Sequence, residues 1–483
     1  MSFTFGISEL DNMYKDILKP KSLVIIAGHP GAGKTTFAVT ICYSNALKNH
    51  KVLYLTLQED KDKLYNVMKG LGIDLTSIEK QGLFRFVKIP VTLDFRDAAE
   101  WILNTVSAHK PEILVIDSIN ALLGPVVKDE EKRAWLQNFF YELPRQINGI
   151  VILIAELPFG SEELGLGAIE FVADAIFILK HRVKESRLVR IMEIRKARGA
   201  PITVAEIPFS IVSGKGLQVF PPPILEQLPR EGEEVEIPFK TLVDRGLAHI
   251  HRGFTIYITY PPDARSWVPF AILAGVALAN DIKVLGVSYA HSPKTIRRLI
   301  VSMFERLGLE NAEAEKIVDK YMILKGINPF AYSLSQLYAY ELELIERYRR
   351  RGIGMVIFAD VSLLMYHHRE AMGLYVHYLA NQLSVLKKNK LIVVRVGSYI
   401  NNELYRINAM LSDVILRVIP VYRWRGRTGI KLMMWRRWSK APYVLTSHEV
   451  EEILREARTL LEKVLESSQK EDKNDKNKDI SEN

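Results

Sequence analysis

The stretch Gly28, His29, Pro30, Gly31, Ala32, Gly33, Lys34 and Thr35 constrains this chain more than any other feature. It follows the pattern glycine, four residues, glycine-lysine-threonine. The apolar run 23–27 before it reads as a buried strand, and residues 36–49, opening with Thr36, read as a helix after it. Glycines let backbone N–H groups turn inward around an anion, and a helix N-terminus adds positive potential. In that context the stretch is a phosphate cradle, not a chance glycine-rich turn. Lys34 would reach the β- and γ-phosphates of a nucleoside triphosphate, and the Thr35 hydroxyl would ligate Mg²⁺.

Two carboxylates follow at strand ends. Residues 113–116 form an apolar strand that closes on Asp117. This suits a Walker B strand, with Asp117 holding the Mg²⁺ shell through water. The strand 52–57 runs into Gln58, Glu59 and Asp60. Asp60 is the better N-cap for the next helix, which leaves Glu59 as the candidate general base for an attacking water.

The rhythm of strand and helix repeats from residue 23 to 179, which predicts a mostly parallel sheet with helices on both faces. After Asp174 come strand-like runs at 175–179, 188–195 and 203–207, expected as an antiparallel extension at one sheet edge. A proline- and charge-rich linker over 221–240 divides the 483 residues into a first domain at 1–220 and a second at 241–447. Residues 448–466 read as an amphipathic helix, and the polar segment 467–483 is expected to be disordered. At 48% apolar and 25% charged the chain can bury two cores, and a net charge of +9 permits nucleic-acid contact without requiring it. Cys42 is the only cysteine, so internal disulfides are excluded and a reducing compartment fits. The N-terminus has no signal-peptide pattern, and the longest apolar run, 268–279, is too short to span a bilayer. A soluble, cytoplasmic protein without membrane insertion is expected.

Gly6-Ile7-Ser8-Glu9-Leu10-Asp11 precedes the glycine-rich loop, and Phe171-Val172-Ala173-Asp174, Arg195-Lys196-Ala197-Arg198-Gly199 and Pro208-Phe209-Ser210-Ile211 follow it. This ordered set resembles the KaiC-like branch of the RecA superfamily over residues 1 to about 220. The resemblance implies a RecA-type core that binds ATP and Mg²⁺ at the interfaces of a homo-oligomer, usually a hexameric ring. It also implies that Lys196 and Arg198 face the neighbouring copy's γ-phosphate, where cations neutralise the charge developing in phosphoryl transfer.

The second half repeats the first with the chemistry removed. At an offset of 232 residues Tyr260 falls on Gly28, Arg265 on Gly33, Ser266 on Lys34, Trp267 on Thr35 and His291 on Glu59. Residues 355–360 repeat the Walker B strand and end on Asp360. At an offset of 241, Ser439 falls on Arg198. Bulky side chains in place of the glycines fill the phosphate nest, so this half reads as a pseudo-ATPase domain. The whole is thus expected to be α/β: two tandem RecA-like domains, each a mostly parallel sheet flanked by helices with an antiparallel edge extension. The two-domain arrangement resembles that of the cyanobacterial clock protein. The segment 398–412 nevertheless lacks an adjacent Ser/Thr pair, which argues against autophosphorylation there.

Arg423-Trp424-Arg425-Gly426-Arg427 and Trp435-Arg436-Arg437-Trp438 interleave arginine with tryptophan, and residues 347–351 add four arginines around Tyr348. These could grip nucleic acid or line a subunit interface. The counterpart of a recombinase's DNA loop in the first domain carries Glu156, Glu162, Glu163 and Glu170 with no Lys or Arg, which argues against a recombinase. His367-His368 are adjacent and do not point to one metal. Three functions therefore stand: an ATPase that switches protein partners, a DNA-acting recombination or repair ATPase, and a non-catalytic ATP-binding scaffold.

Overall fold

The computed structural model describes residues 3–481 apart from 15–16, 91–94, 124–129, 162, 165, 167–168, 185–186, 203, 222–232, 248–249, 264–265, 368–371, 400–401, 423–427, 438 and 440. The chain divides into two compact units, Met1–Pro221 and Pro222–Asn483.

The first unit holds a nine-stranded sheet. Its strands are β1 (Ser22–Gly28), β2 (Val52–Thr56), β3 (Phe84–Lys88), β4 (Ile113–Asp117), β5 (Ile150–Glu156), β6 (Ala175–Lys184), β7 (Arg187–Ala197), β8 (Glu206–Val212) and β9 (Gly216–Val219). The order is β3-β2-β4-β5-β1-β6-β7-β8-β9. Pairing is parallel from β3 through β6 and antiparallel from β6 through β9. The mostly parallel sheet with an antiparallel edge is therefore present. Its third edge strand starts later than 203–207, and β9 joins beyond it.

β1, β2 and β4 are buried along their whole length, as expected of strands covered on both faces. Alternate residues serve two cores. Val24, Ile26, Tyr54 and Val115 pack with Phe37 and Ile41 of the helix Lys34–Ala46. Leu23, Ile25, Leu53 and Leu55 pack with Ala98 and Ile102 of the helix Phe95–His109. The helix after the glycine loop ends at Ala46, short of residue 49, and Asn49 takes a left-handed φ of 68°.

The second unit repeats the plan. β10 (Glu234–Val235) and β11 (Ile250–His251) form a small pair. The main sheet contains β12 (Thr255–Tyr260), β13 (Lys283–Ser288), β14 (Met322–Gly326), β15 (Ile353–Ala359), β16 (Ile392–Ser398), β17 (Val414–Tyr422), β18 (Thr428–Arg436) and β19 (Tyr443–Leu445). Its order, β14-β13-β15-β16-β12-β17-β18-β19, matches that of the first sheet strand for strand up to β8. The helix expected at the C-terminus is part of Ser447–Ser481, which runs on through residues expected to be disordered. That segment has neither glycine nor proline to stop a helix.

Candidate functional site

β1 leaves the centre of the first sheet at Gly28, and the glycine loop turns directly into the helix Lys34–Ala46. The loop has no room for side chains at its ends. A Cβ on Gly28 would lie 2.2 Å from the Leu179 carbonyl oxygen, and one on Gly33 would lie 2.7 Å from Ile211 Cδ1. Gly33 also caps the helix in a left-handed conformation with φ 107°, which favours glycine. Ala32 and Thr36 are buried beneath the loop, while Pro30 and Gly31 are exposed on its open side.

Lys34 folds back over the loop, donating from Nζ to the Gly28 carbonyl at 3.0 Å and the His29 carbonyl at 3.1 Å. Burial pulls its ammonium below the ordinary value, against the pull of Glu156 and Asp117. The Thr35 hydroxyl donates to Asp117 Oδ2 at 3.0 Å, although 82 residues separate the two. The two oxygens expected from the sequence to face Mg²⁺ are therefore neighbours. Thr35 Oγ1 and a carboxylate are hard oxygen donors of the kind Mg²⁺ takes, and the cradle beside them has open backbone N–H groups, so the residues fit a Mg²⁺-triphosphate.

Asp117 is 7% exposed. Burial pushes its carboxyl up; hydrogen bonds from Tyr54 and Thr35 and the charge of Lys34 oppose that. The Tyr54 hydroxyl donates to Asp117 Oδ2 at 2.5 Å from the neighbouring strand. Sequence reasoning missed Tyr54; the available signal was a tyrosine inside the otherwise aliphatic run 52–55. Glu59 sits half-buried just past β2, with its backbone N–H bonded to Thr56 Oγ1 at 3.0 Å, and its charge acts on the Tyr54 hydroxyl. Asp60 caps the next helix through Lys63 N at 3.0 Å, which leaves Glu59 as the uncommitted carboxylate of the pair.

Glu156 was read only as part of an acidic loop. It ends β5 directly beside Gly28, held by a 2.7 Å hydrogen bond from its N–H to Asn120 Oδ1. On the open side of the loop, His29 lies 4.8 Å from Phe159 and 5.7 Å from His181 between ring centroids. Burial lowers the His181 imidazole, with His29, Arg190 and Lys34 adding to the effect.

Lys196 and Arg198 are elsewhere. Lys196 pairs with Ile176, which pairs with Ile25 of β1, so it stands two strands across and three residues back from Gly28. At about 3.3 Å per residue this is roughly 10 Å along the strand, and Arg198 lies further back. Lys196 Nζ donates to the carbonyls of Glu170 at 3.0 Å and Phe171 at 2.9 Å. Arg198 donates to the Phe171 carbonyl at 3.0 Å and pairs with Asp174 at 3.4 Å.

The motifs at the chain start prove to be a brace. Asp11 accepts from Phe5 N at 2.7 Å, and Asn45 of the loop helix exchanges hydrogen bonds with Thr4 at 3.0 and 2.7 Å.

Two positions assigned in the second unit need correction. In the first sheet Thr56 pairs with Asp117, whereas in the second the equivalent Ser288 pairs with Ala359. Ala359, not Asp360, therefore occupies the Walker B position. Asp360 follows the strand with φ 63° and accepts from Ser288 Oγ at 3.0 Å. Likewise Arg437 N bonds the Asp413 carbonyl as Arg198 N bonds that of Asp174, and each arginine pairs with that aspartate. Arg437, not Ser439, is the counterpart of Arg198, and Trp435 is that of Lys196. Counting residues cannot see the differing loop lengths that shift these registers.

Of the basic clusters, Arg347 pairs with Glu343 at 3.0 Å, and Arg349 and Arg350 reach Glu346 at 2.9 and 3.7 Å, as on a solvated helix end. Residues 423–427, Trp438, Glu162, Arg265 and His368 lie outside the described residues. Among the described residues no cluster of His, Cys, Asp or Glu could hold a metal by itself, and no helix is long and apolar enough to cross a membrane.

A parallel sheet with a glycine loop leaving its central strand, a lysine and threonine opening the next helix, and an aspartate closing a strand two places away define a RecA-type P-loop fold. Residues 3–224 match the family model described as the KaiC ATPase. The chain is 26% identical over 246 residues to the circadian clock protein KaiC3 of Synechocystis, covering 48% of each chain. It is 24% identical over 196 residues to the circadian clock oscillator protein KaiC of Parathermosynechococcus lividus, covering 40% of this chain and 36% of that one. A UPF0273 protein of Thermotoga maritima is matched over 94% of its own length at 23% identity, covering 45% of this chain. The chain spans about half or less of the length of these clock relatives. Over residues 3–224 the chain is therefore similar to the KaiC-like P-loop ATPases of the RecA superfamily.

Proposed function

We propose that the N-terminal unit binds Mg²⁺-ATP and hydrolyses it slowly within a ring of identical copies, and that the nucleotide state of the ring switches its hold on protein partners. Gly28 to Thr36 would hold the triphosphate, Thr35 and Asp117 the Mg²⁺, and Glu59 would orient and deprotonate the attacking water. Mg²⁺ supplies charge neutralisation at the phosphates. The chain's own part is to hold Lys34 over the loop, to keep Thr35 and Asp117 joined, and to fix Asp117 with Tyr54. The second unit is a pseudo-ATPase: it has Ser266 for the lysine, Trp267 for the threonine and Ala359 for the aspartate.

The observation that carries this reading is the position of Lys196 and Arg198. Both are tied to carbonyls at the far end of β1 and cannot reach their own Gly28 loop. Cations placed there serve phosphoryl transfer only on another copy's nucleotide. The test is a mixing experiment. Lys34→Ala and Arg198→Ala should each be inactive in Mg²⁺-ATP hydrolysis, and mixed rings should regain activity, because some interfaces pair an intact loop with an intact arginine. Mixtures as inactive as the parents, in rings shown to exchange subunits, would remove the trans role. Hydrolysis should also be indifferent to single-stranded DNA; a several-fold stimulation would favour a DNA-acting ATPase. Tight ATP binding without turnover in any mixture would favour the scaffold.

A further inference from the structure

The second unit contains a cavity of about 400 Å³ between its sheet and the helices Val268–Ala279 and Pro293–Arg306. That volume is within the range of small-molecule sites. The cavity exists because positions that are filled in the first unit are emptied in the second. Strand register makes Gly286 the counterpart of Tyr54, Ala359 that of Asp117, Met322 that of Phe84 and Leu324 that of Phe86. On the covering helix Ala274 stands where Cys42 stands. In the first unit the Tyr54 ring stacks on Phe86 at 5.8 Å and its hydroxyl reaches Asp117. In the second unit all of these side chains are smaller or more flexible, and all five counterparts line the cavity.

The lining is apolar along the strands and polar at its ends. At the C-terminal ends of the strands stand Ser288, His291 and Asp360, with Ser288 Oγ donating to the Asp360 carboxylate. The helix Pro293–Arg306 starts beside this end, so its last residue, Arg306, marks the other. The span from Ser288 back to Val284 is about 13 Å of strand. Simple loss of nucleotide chemistry would not empty a core face in concert, because close packing normally refills such space.

We propose that this cavity binds an elongated apolar small molecule whose hydroxyl or ammonium head donates to Asp360. The proposal goes beyond the ATPase reading and does not depend on it, because none of these residues belongs to the first unit. A ligand seated here would bear on the face of the sheet covered by the Val268–Ala279 helix. That would give the degenerate unit a sensing role that its fold alone does not require.

The test is isothermal titration of the full chain with 1-octanol, octylammonium and octanoate, with and without saturating Mg²⁺-ATP. Octanol and octylammonium should bind at one per chain, and octanoate at least tenfold more weakly, because its carboxylate would face Asp360. Gly286→Tyr restores the first unit's residue and should abolish binding. A Cβ at Gly286 meets Leu324 Cδ2 at 2.9 Å, so Ala359→Leu provides a second way to fill the space should the first variant not fold. Asp360→Asn should weaken octylammonium at least tenfold and octanol little. Each variant is checked by circular dichroism and by unchanged ATP binding in the first unit. Saturable binding lost in the filling variants would establish the site. No saturable binding of any probe, or binding that survives filling, would overturn it. Octanoate binding tighter than octylammonium would overturn the assignment of the head to Asp360.

Discussion

The two units share a strand order and differ on both faces of the sheet. On the face that carries the loop helix, the first unit packs Tyr54 against Asp117 and Phe86, and the second leaves space around Gly286. On the opposite face the difference is reversed. There the first unit places Leu153, Ile116 and Leu57 in one apolar core. At the equivalent places the second unit has Arg395, Phe358 and Tyr289. Arg395 is 1% exposed and donates to Asn408 at 3.1 Å, Gln382 at 2.7 Å and Tyr375 at 2.8 Å. Glu341, fully buried, accepts from Tyr378 at 2.6 Å and from Tyr289. Apolar area holds the first sheet on that face; a hydrogen-bonded network holds the second. A fold inherited by both units therefore does not fix where polar groups are buried. The site fixes it in one unit, and the network in the other.

The largest effect that would break this comparison is expected at Arg395. Arg395→Met leaves Glu341 buried without its countercharge and the three partners Asn408, Gln382 and Tyr375 without their donor, a loss of about 3–5 kcal/mol by the usual cost of breaking a buried charge pair. Chemical unfolding should show the second unit melting early while the first still binds ATP. If Arg395→Met is tolerated within about 1 kcal/mol, the network is ornamental to the fold.

Next in size is Lys34→Ala. It should lower ATP affinity roughly 10²- to 10³-fold, the scale for removing a donor that faces a phosphate-like charge. Equilibrium binding should find one site per chain in the parent and none at the same concentration in the variant. Residual binding at half the sites would mean that the second unit still holds nucleotide, and the comparison would lose its chemical half.

Glu341 sharpens the comparison by pH. Burial pushes its carboxyl up to about 7, with Tyr289, Tyr378, Arg395 and Gln382 opposing the rise. In the unfolded chain it titrates near its ordinary value of 4.5. Between those values the folded state holds a proton that the unfolded state has released. Stability from this group is therefore complete below about 4.5, falls as pH rises, and is lost above about 7. The fall should be on the order of 3 kcal/mol. Glu341→Gln should flatten it. A slope unchanged in the variant would assign the pH dependence elsewhere.

The sequence made the first unit's site legible because the chemistry there is local. Gly28 to Thr35 lie in one turn, and Asp117 ends an unbroken apolar strand, so the 3.0 Å contact of Thr35 with Asp117 follows from strand order alone. Tyr54, Asn120 and Glu156 were not legible, because their roles depend on which strand neighbours which. The second unit's registers were misplaced for the same reason. The 232-residue offset holds at Tyr260, whereas Asp360, placed by strand pattern, and Ser439, placed by an offset of 241, miss the observed register, because loops of different length change the offset along the chain. The cavity was invisible because the five residues that open it are scattered over three strands and a helix, with no motif in common.

The smallest effect is the most direct probe of what the two units do differently. Tyr54→Phe keeps the ring against Phe86 and removes only the hydroxyl that donates to Asp117. Asp117 would then keep Thr35 as its hydrogen-bond donor on Oδ2 and lose the strongest of the three influences that hold its carboxyl down against burial. Stability should fall by about 1 kcal/mol, the usual net worth of one hydrogen bond. The proton on Asp117 should then be harder to remove, so Mg²⁺-dependent ATP binding should weaken more at low pH than at high pH. ATP binding without Mg²⁺ should be nearly unchanged, because Lys34 and the glycine loop are untouched. That split separates a residue that positions a metal-holding carboxylate from one that only fills a core. If Tyr54→Phe lowers both affinities equally, the hydroxyl is structural. The Tyr54 to Gly286 exchange would then be a matter of packing alone.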